Sequence, residues 1–185
     1  DPLDLHSFPT RRSSDLPVLE KYWAQQSGLG WIGKNTCLIV PKAGSFFFIG
    51  EIIINQQLEY DKPHAGMCGA CEACINACPT GALEAPYILN ANKCISYLTI
   101  EHKAHLDIQL KAAFNQYVFG CDICQRVCPW NKFAKPSPSA DCQILPQIKG
   151  LKISELEDES FKQLYKESPI SRISLEKLKD NASID

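Results

Sequence analysis

Eight of the ten cysteines in this 185-residue chain fall into two interleaved, regularly spaced groups. Their positions are Cys68, Cys71, Cys74, Cys78, Cys94, Cys121, Cys124 and Cys128. Two-residue spacing lets successive thiolates of one turn converge on a cubane iron–sulfur cluster, and a displaced cysteine followed by proline reaches the other cluster. Pro79 and Pro129 each follow such a cysteine. The spacing therefore predicts two 4Fe–4S clusters.

The same run of spacings occurs in bacterial ferredoxins, whose pseudo-symmetry divides eight ligands four and four. We predict that the first cysteine set, which holds cluster 1, is Cys68, Cys71, Cys74 and Cys128. We predict that the second cysteine set, which holds cluster 2, is Cys78, Cys94, Cys121 and Cys124.

Disulfides and zinc are the other uses of such cysteines. An even cysteine count predicts a disulfide framework mainly in short secreted chains. Zinc ribbons pair two CxxC units and need no third evenly spaced cysteine. Cys37 and Cys142 stand outside the spacing, and Cys37 lies in an apolar run that suits a buried small side chain. We expect neither to be a ligand.

Composition sets few limits on function. The net charge is −2 and the hydrophobic content is 45%, enough for a packed core but without an overall basic footprint for nucleic acid. The sequence has no apolar run long enough to span a membrane and no secretory signal layout. Thiolate-bound clusters suit a reducing compartment, so we expect a cytoplasmic protein.

Residues 1–16 differ from the rest of the chain, because they are polar and have neither helical nor strand periodicity. The segment resembles the translated read-through of a sequencing adapter joined to a gene fragment; the alternative is an ordinary polar extension. We predict that it is foreign or disordered.

Local patterns predict the elements of the first half. Residues 17–28 suit a helix with Leu19, Tyr22 and Trp23 on its apolar face. Thr36–Val40 and Phe46–Asn55 suit two strands of a hairpin joined by a glycine-containing turn. A linker would follow at 56–67.

The rest of the chain reads mainly as helices. We predict helices at 70–77, 90–96, 105–117, 153–164 and 174–179, with a linker at 136–139. Ser154 and Glu157 have the spacing of a capping box. His64, His102 and His105 lack metal-ligand spacing and read as surface or loop residues.

Motifs outside the cysteines carry a family resemblance. These are Gly28–Thr36, Gly44–Glu51, Cys94–Glu101 and Phe119–Asn131. Together they resemble epoxyqueuosine reductases over about residues 17–180. The resemblance implies a cobalamin-dependent iron–sulfur enzyme that reduces epoxyqueuosine to queuosine at the wobble position of transfer RNA. Electrons would pass through the clusters to cobalamin.

The resemblance also implies an α+β fold in several parts. Residues 17–66 would be the remnant of a cobalamin-binding α/β domain, and 67–135 a ferredoxin-like domain with two 4Fe–4S clusters. Residues 136–185 would be a linker and a helical C-terminal segment. The chain begins about halfway through the family's usual sequence, so we expect a fragment with little activity alone. The family's acidic proton donor falls on Ser14, so the catalytic residue is unassigned.

Several residues are candidate contacts for the cofactor and the RNA. Gly33, Lys34, Asn35 and Thr36 would form a loop against the corrin ring, with a plain structural turn as the alternative. Ser96, Tyr97 and Asp122 would lie near a cluster and touch cobalamin or the nucleoside; helix packing is the alternative for the first two. Arg172, Lys177 and Lys179 are candidates for transfer RNA, against the solvated helix face that mixed charge usually indicates.

The expected partners are a transfer RNA carrying epoxyqueuosine and an external low-potential electron donor, with the protein a monomer. Two other functions fit the cysteines: a reductive dehalogenase-like enzyme acting on small halogenated substrates, and a ferredoxin-type electron carrier. The flanks on either side of the cysteine region argue against the carrier.

Overall fold

The computed structural model describes residues 18–52, 54–106, 108–114, 116–138 and 151–183. Residues 1–16, with Ser14, and Cys142 lie outside this range, so the predictions made for them stay predictions.

The described chain combines short helices with two small antiparallel sheets, which agrees with the expected α+β class. The helices are α1 (Glu20–Gln26), α2 (Ala73–Asn76), α3 (Ile95–Ile100), α4 (Ile108–Ala112), α5 (Ile123–Arg126), α6 (Asp158–Tyr165) and α7 (Leu175–Ala182). The strands are β1 (Trp31–Ile32), β2 (Leu38–Ile39), β3 (Leu83–Ala85) and β4 (Ile88–Leu89). Turns of 3₁₀ helix occupy Ala91–Lys93, Pro129–Phe133, Ile153–Glu155 and Pro169–Arg172.

The first sheet is a tight hairpin between β1 and β2, with Trp31 opposite Ile39. Gly30 lies where a Cβ atom would be 2.1 Å from the carbonyl oxygen of Ile39, so no other residue fits between the strands. The predicted pairing of Thr36–Val40 with Phe46–Asn55 is therefore wrong. The partner of β2 precedes it in the chain.

The predicted strand at Phe46–Asn55 is also wrong, since its described residues form no strand. Phe48 is 94% exposed and Ile52 is 90% exposed. The apolar run suggested a strand buried on both faces, but the described residues of this segment pair with no strand.

The second hairpin, β3 with β4, was not predicted from the sequence. Its turn places Tyr87 in the left-handed region at φ 68°, and the Tyr87 amide donates to the carbonyl of Lys34 at 3.1 Å. The hairpin follows the first cysteine motif directly and contacts α2.

Two apolar cores support the second half. One is built from α6, α7 and the 3₁₀ turns beside them, and Ile100, Val118 and Phe119 pack against it. The other joins Ile95 and Leu98 of α3 to Phe114, which follows α4. The helical C-terminal segment therefore packs directly on the chain that carries Cys94 and Cys121.

Most predicted helices are present, and all of them except α7 are shorter than predicted. The predicted helix at 90–96 is a 3₁₀ turn and then α3, because Cys94 adopts an extended backbone between them. The capping box is wrong: Ser154 lies in a 3₁₀ turn, and the Glu157 side chain caps nothing at the start of α6. The helix predicted at 174–179 is α7, whose N-cap Ser174 accepts from the Lys177 amide at 3.1 Å.

None of the helices formed by the described residues has the length and apolar character needed to cross a membrane.

Candidate metal centres

The two predicted cysteine sets line two different cavities. The first set surrounds a small cavity of about 40 Å³, together with Lys34, Asn35 and Trp130. The second set lines a larger cavity of about 500 Å³, together with Asn35, Thr36, Cys37, Ser96, Asp122 and Gln125. The structure thus groups the eight thiols four and four in the predicted partition, and which groups bind metal stays a prediction.

Local structure explains how each motif gathers its thiols. The Cys71 amide donates to the Cys68 carbonyl at 3.1 Å, closing a turn in which Gly69 has φ +52°. Cys74 lies on α2, and Cys124 lies at the equivalent place on α5, which packs against α2. Because the two helices pack together, the last cysteine of each motif lies at the cavity of the other motif. Cys128 lies at the first cavity and Cys78 at the second.

Hydrogen bonds reach the sulfur of Cys78. The Ala82 amide donates to it at 3.3 Å, and the Thr80 hydroxyl lies 3.7 Å away. Burial raises the pKa of Cys78, but hydrogen bonds from Leu83, Thr80 and Ala82 outweigh it, and the net pKa is lowered. This thiol is therefore prepared to bind metal as a thiolate.

In three other thiols burial has the larger effect, and the net pKa of Cys74, Cys121 and Cys128 is raised. A thiol must lose its proton to bind iron, and the positive charge of the metal compensates for the cost of burying the resulting thiolate. The thiolates that line the two cavities would therefore be stable only beside a bound cation.

The donor set fits clusters better than single ions or disulfides. The nine described cysteines are all free thiols. Among the described residues, no three His, Cys, Asp or Glu side chains converge closely enough for one metal ion. A zinc site would require that convergence, since its sulfurs all lie about 2.3 Å from one ion. Four thiols spread around a cavity suit a larger cubane.

Cys37 is not the isolated small hydrophobe expected from the sequence. It is only partly buried, lines the second cavity and forms a hydrogen bond with the Cys124 thiol. That bond lowers the pKa of Cys37 and, together with burial, raises the pKa of Cys124. The sequence signal for this contact is weak, because Cys37 has no ligand spacing.

Asn35 forms part of the lining of both cavities. It is 4% exposed and lines both of them. Its amide nitrogen donates to the Cys124 carbonyl at 3.4 Å, and its Oδ1 accepts from the Cys37 amide at 3.2 Å. These two contacts hold the side chain within the protein, and its predicted hydrogen bond to a corrin amide stays a prediction.

The structure disperses the other predicted cobalamin contacts. Thr36, Ser96 and Asp122 line the second cavity, and Lys34 lines the first. Gly33 is buried, and a Cβ atom there would come within 2.6 Å of the Ile39 side chain. Tyr97 lines neither cavity, and its ring lies 6.3 Å from that of His102.

A polar network that the sequence did not reveal binds the turn after β2 to the second motif. The Ser45 amide donates to Asn131 Oδ1 at 2.6 Å, and the Ser45 hydroxyl donates to Gln125 Oε1 at 2.8 Å. Gln125 in turn donates to Asp122 at 2.7 Å. Trp31, fully buried, packs edge to face on Trp130 at 4.8 Å. Residues 18–45 and the cysteine region are thus one packed unit.

The three candidate RNA contacts have different surroundings. Arg172 forms an ion pair with Glu101 at the end of α3. Lys177 lines a shallow polar depression with Lys103 and His105, and burial lowers its pKa. Lys179 lies on α7 outside that depression.

Comparison with known proteins adds to this geometry. A family model described as "4Fe-4S double cluster binding domain" matches residues 67–131. The epoxyqueuosine reductase of Cellulophaga algicola is 45% identical over 168 residues, which cover 89% of this chain and 55% of that protein. This chain is similar in sequence to the epoxyqueuosine reductases. It spans about half the length of the curated relatives it matches.

Solved epoxyqueuosine reductase structures share the fold. That from Bacillus subtilis superimposes with a TM-score of 0.81 at 33% identity, over 88% of this chain and 44% of the other. An epoxyqueuosine reductase structure with the same values contains a tRNA-Tyr stem loop modified with epoxyqueuosine. The resemblance drawn from the sequence motifs is confirmed. The expected α+β class is confirmed as a mixture of helices and small sheets that contains a double cluster binding domain.

Proposed function

We propose that this chain is the electron-delivering part of a longer enzyme that reduces epoxyqueuosine to queuosine at the anticodon wobble position of tRNA. The observation that carries the proposal is the pair of cysteine-lined cavities, both of which Asn35 lines. The names of the relatives and of the stem-loop complex supply the substrate.

The reaction sets what the chain must do. Converting an epoxide to an alkene takes two electrons and two protons and releases water. Cobalamin, when bound, supplies the cobalt centre at which the carbon–oxygen bond is broken. The two cysteine sets would carry the electrons, because a 4Fe–4S cluster reaches the low potentials this chemistry needs. An external low-potential donor would refill the clusters in a monomeric cytoplasmic protein.

The second cavity is the proposed end of the electron path. Its volume exceeds that of the first, and Thr36, Ser96 and Asp122 add polar groups to its wall. These residues fit one edge of a ligand larger than the cluster, so we assign them to the cobalamin side. We assign the remaining candidates to packing around the clusters; they are Gly33, Lys34, Asn35 and Tyr97.

The transfer RNA would lie across the C-terminal segment. Lys177 and Lys179 are the proposed phosphate contacts, with Lys103 beside Lys177 as an addition from the structure. Arg172 would need to leave Glu101 or to bind phosphate while paired with it.

The test is mass spectrometry of nucleosides from epoxyqueuosine-containing tRNA. The assay would contain the longer protein with this sequence as its cluster-bearing half, cobalamin and a strong reductant. We expect queuosine to form with the longer protein and little to form with the 185-residue chain. The Cys94→Ala variant, which lacks a ligand of the second set, should be inactive.

Two outcomes would count against the proposal. A longer protein that holds both clusters and cobalamin, removes halogen from small organic molecules and leaves the tRNA unchanged would indicate the dehalogenase-like function. Robust queuosine formation by the 185-residue chain would show that the rest of the protein is not needed.

A further inference from the structure

A buried polar cluster links the last helix to two cysteines of the second set. Its members are Thr99 on α3 and Asn181 on α7, which are 0% and 3% exposed. Cys94 immediately precedes α3, and Cys121 immediately follows Gly120. These two polar side chains therefore lie where the chain stretch that carries Cys94 meets the stretch that carries Cys121.

Thr99 holds the two stretches together. Its hydroxyl donates to the Ile95 carbonyl at 2.7 Å and accepts from the Gly120 amide at 3.0 Å. Gly120 has φ +72°, so this amide sits at a sharp turn of the backbone just before Cys121. One hydroxyl thus sets the start of α3 relative to the Cys121 turn.

Asn181 binds the same two stretches from the other side. Its amide nitrogen donates to the Thr99 carbonyl and to the Val118 carbonyl, both at 2.9 Å. The helix that carries Asn181 is attached by Lys111, which is 7% exposed and donates to the Asp180 carboxylate at 2.7 Å. The first cysteine set has no described contact of this kind with α7.

We propose that α7 is a positioning element for the second cluster, and that Asn181 and Thr99 fix the separation of Cys94 and Cys121. Asn181 Oδ1 is buried without a partner, but the Thr99 hydroxyl and Asn181 Nδ2 have theirs. Buried donors are costly to leave without acceptors, so these bonds favour one arrangement of the two chain stretches. The inference rests on the cluster part of the proposed function and does not depend on the RNA substrate.

The test compares two changes at one site. Thr99→Val keeps the shape of the side chain but removes the hydroxyl, leaving the Gly120 amide without a partner. Thr99→Ser keeps the hydroxyl and loses a methyl group. Each is made in the full 185-residue chain and reconstituted anaerobically. Asn181→Leu removes the amide from α7, and Glu176→Gln, at an exposed position of the same helix, is the matched control.

The measurements are the iron content and the rate at which a chelator removes each cluster. Reference spectra for single clusters come from Cys94→Ala, which should keep only cluster 1, and Cys71→Ala, which should keep only cluster 2. We expect Thr99→Val and Asn181→Leu to speed the loss of cluster 2 about tenfold, or about 1.4 kcal/mol. Cluster 1 should be lost at the unaltered rate, and Thr99→Ser and Glu176→Gln should behave as the parent.

Three results would overturn the inference. Equal acceleration of both clusters would show a general loss of stability, and no acceleration would show that α7 does not position the ligands. Loss of cluster 2 in Thr99→Ser to the same extent as in Thr99→Val would assign the effect to packing volume. A parent chain that binds no iron would instead refute the cluster assignment in the proposed function.

Discussion

At the scale of single residues, the contact between Cys37 and Cys124 has a direct consequence for electron transfer. With free thiols, the raised pKa of Cys124 and the lowered pKa of Cys37 make Cys124 the donor. Iron binding at Cys124 would make that sulfur an acceptor, so Cys37 would then donate. A hydrogen bond to a ligand sulfur stabilises the reduced cluster and raises its potential.

We therefore predict that Cys37→Ala keeps the full iron content, about eight atoms per chain for two cubane clusters, but lowers the potential of cluster 2. Cys37→Ser, which retains a donor, should restore most of the shift. Cys94→Ala should instead lose about four iron atoms, one cluster. Iron analysis and a redox titration followed by electron paramagnetic resonance provide the measurements. Loss of iron in Cys37→Ala would make Cys37 a ligand and contradict the partition.

Gly44 has a conformation and a position that no other residue tolerates. Its φ is +82°, and a Cβ atom would lie 2.1 Å from Asn131 Oδ1, which accepts the Ser45 amide. We predict that Gly44→Ala costs about 2–4 kcal/mol of unfolding free energy, from backbone strain and displacement of Asn131. Chemical denaturation gives the value. Gly50→Ala, where nothing lies within 4 Å, should change stability by less than about 1 kcal/mol.

Residue spacing in the sequence was sufficient to predict how the eight cysteines divide between the two cavities. Each CxxC turn is local, and the pseudo-symmetry of the repeated motif assigns the more distant cysteines. Spacing was insufficient for Asn35 and Cys37, whose importance depends on a contact with Cys124 far along the chain. Thr99 and Asn181 were missed for the same reason, since they are 82 positions apart in sequence.

At the scale of elements, α7 is attached to the rest by an ion pair that is mostly buried. The Lys111 amine donates to both the backbone carbonyl and the carboxylate of Asp180. Breaking such a pair from one side leaves a charge without its partner, which costs more than losing an exposed pair.

We predict that Lys111→Met lowers the unfolding free energy by about 2–4 kcal/mol, with little dependence on salt. Lys162→Met is the matched control, because the Lys162–Glu159 pair is exposed on both sides and should contribute no more than about 1 kcal/mol. Thermal unfolding at low and high salt measures both. An equal, salt-sensitive loss in the two variants would show that the Lys111 pair is effectively solvated.

Secondary-structure elements were predicted correctly where their contacts lie within a few residues along the chain. Helix α7 could be predicted because its N-cap residue and its apolar face lie within a few residues of each other in the sequence. The sheet was mispredicted because the partner of β2 is decided by close packing of Gly30 and Trp31, whereas the apolar run at 46–55 satisfied the same local pattern without a partner.

At the scale of the whole molecule, the chain exposes many large apolar side chains ahead of the cysteine region. They are Leu19, Tyr22, Trp23, Leu29, Phe46, Phe48, Ile52, Ile54, Leu58 and Tyr60. The apolar face predicted for α1 is thus exposed. Soluble proteins rarely leave so much apolar surface uncovered, and such surface marks an interface. We expect the remaining part of the longer protein to cover it.

This expectation gives opposite effects in two contexts. In the 185-residue chain, Phe48→Ser should leave stability unchanged and reduce binding of a hydrophobic dye. In the longer protein the same change should lower stability by about 1.5–3 kcal/mol, the transfer free energy of a buried aromatic ring. Ile88→Ser, at an exposed position on β4, should have little effect in either. A neutral Phe48→Ser in the longer protein would show that this surface stays open.

Asn35, which lines both cavities, also bears on how charge would be stored. Two one-electron acceptors in neighbouring cavities would exchange electrons before a slower chemical step. A donor that delivers electrons one at a time could dock at one place only and still load the protein with a pair. Under the proposed function, the chain would then take up a pair of electrons before the RNA arrives and deliver both in one encounter. Increasing the distance between the two clusters should make turnover depend on the donor concentration during the reaction, while the iron content stays the same.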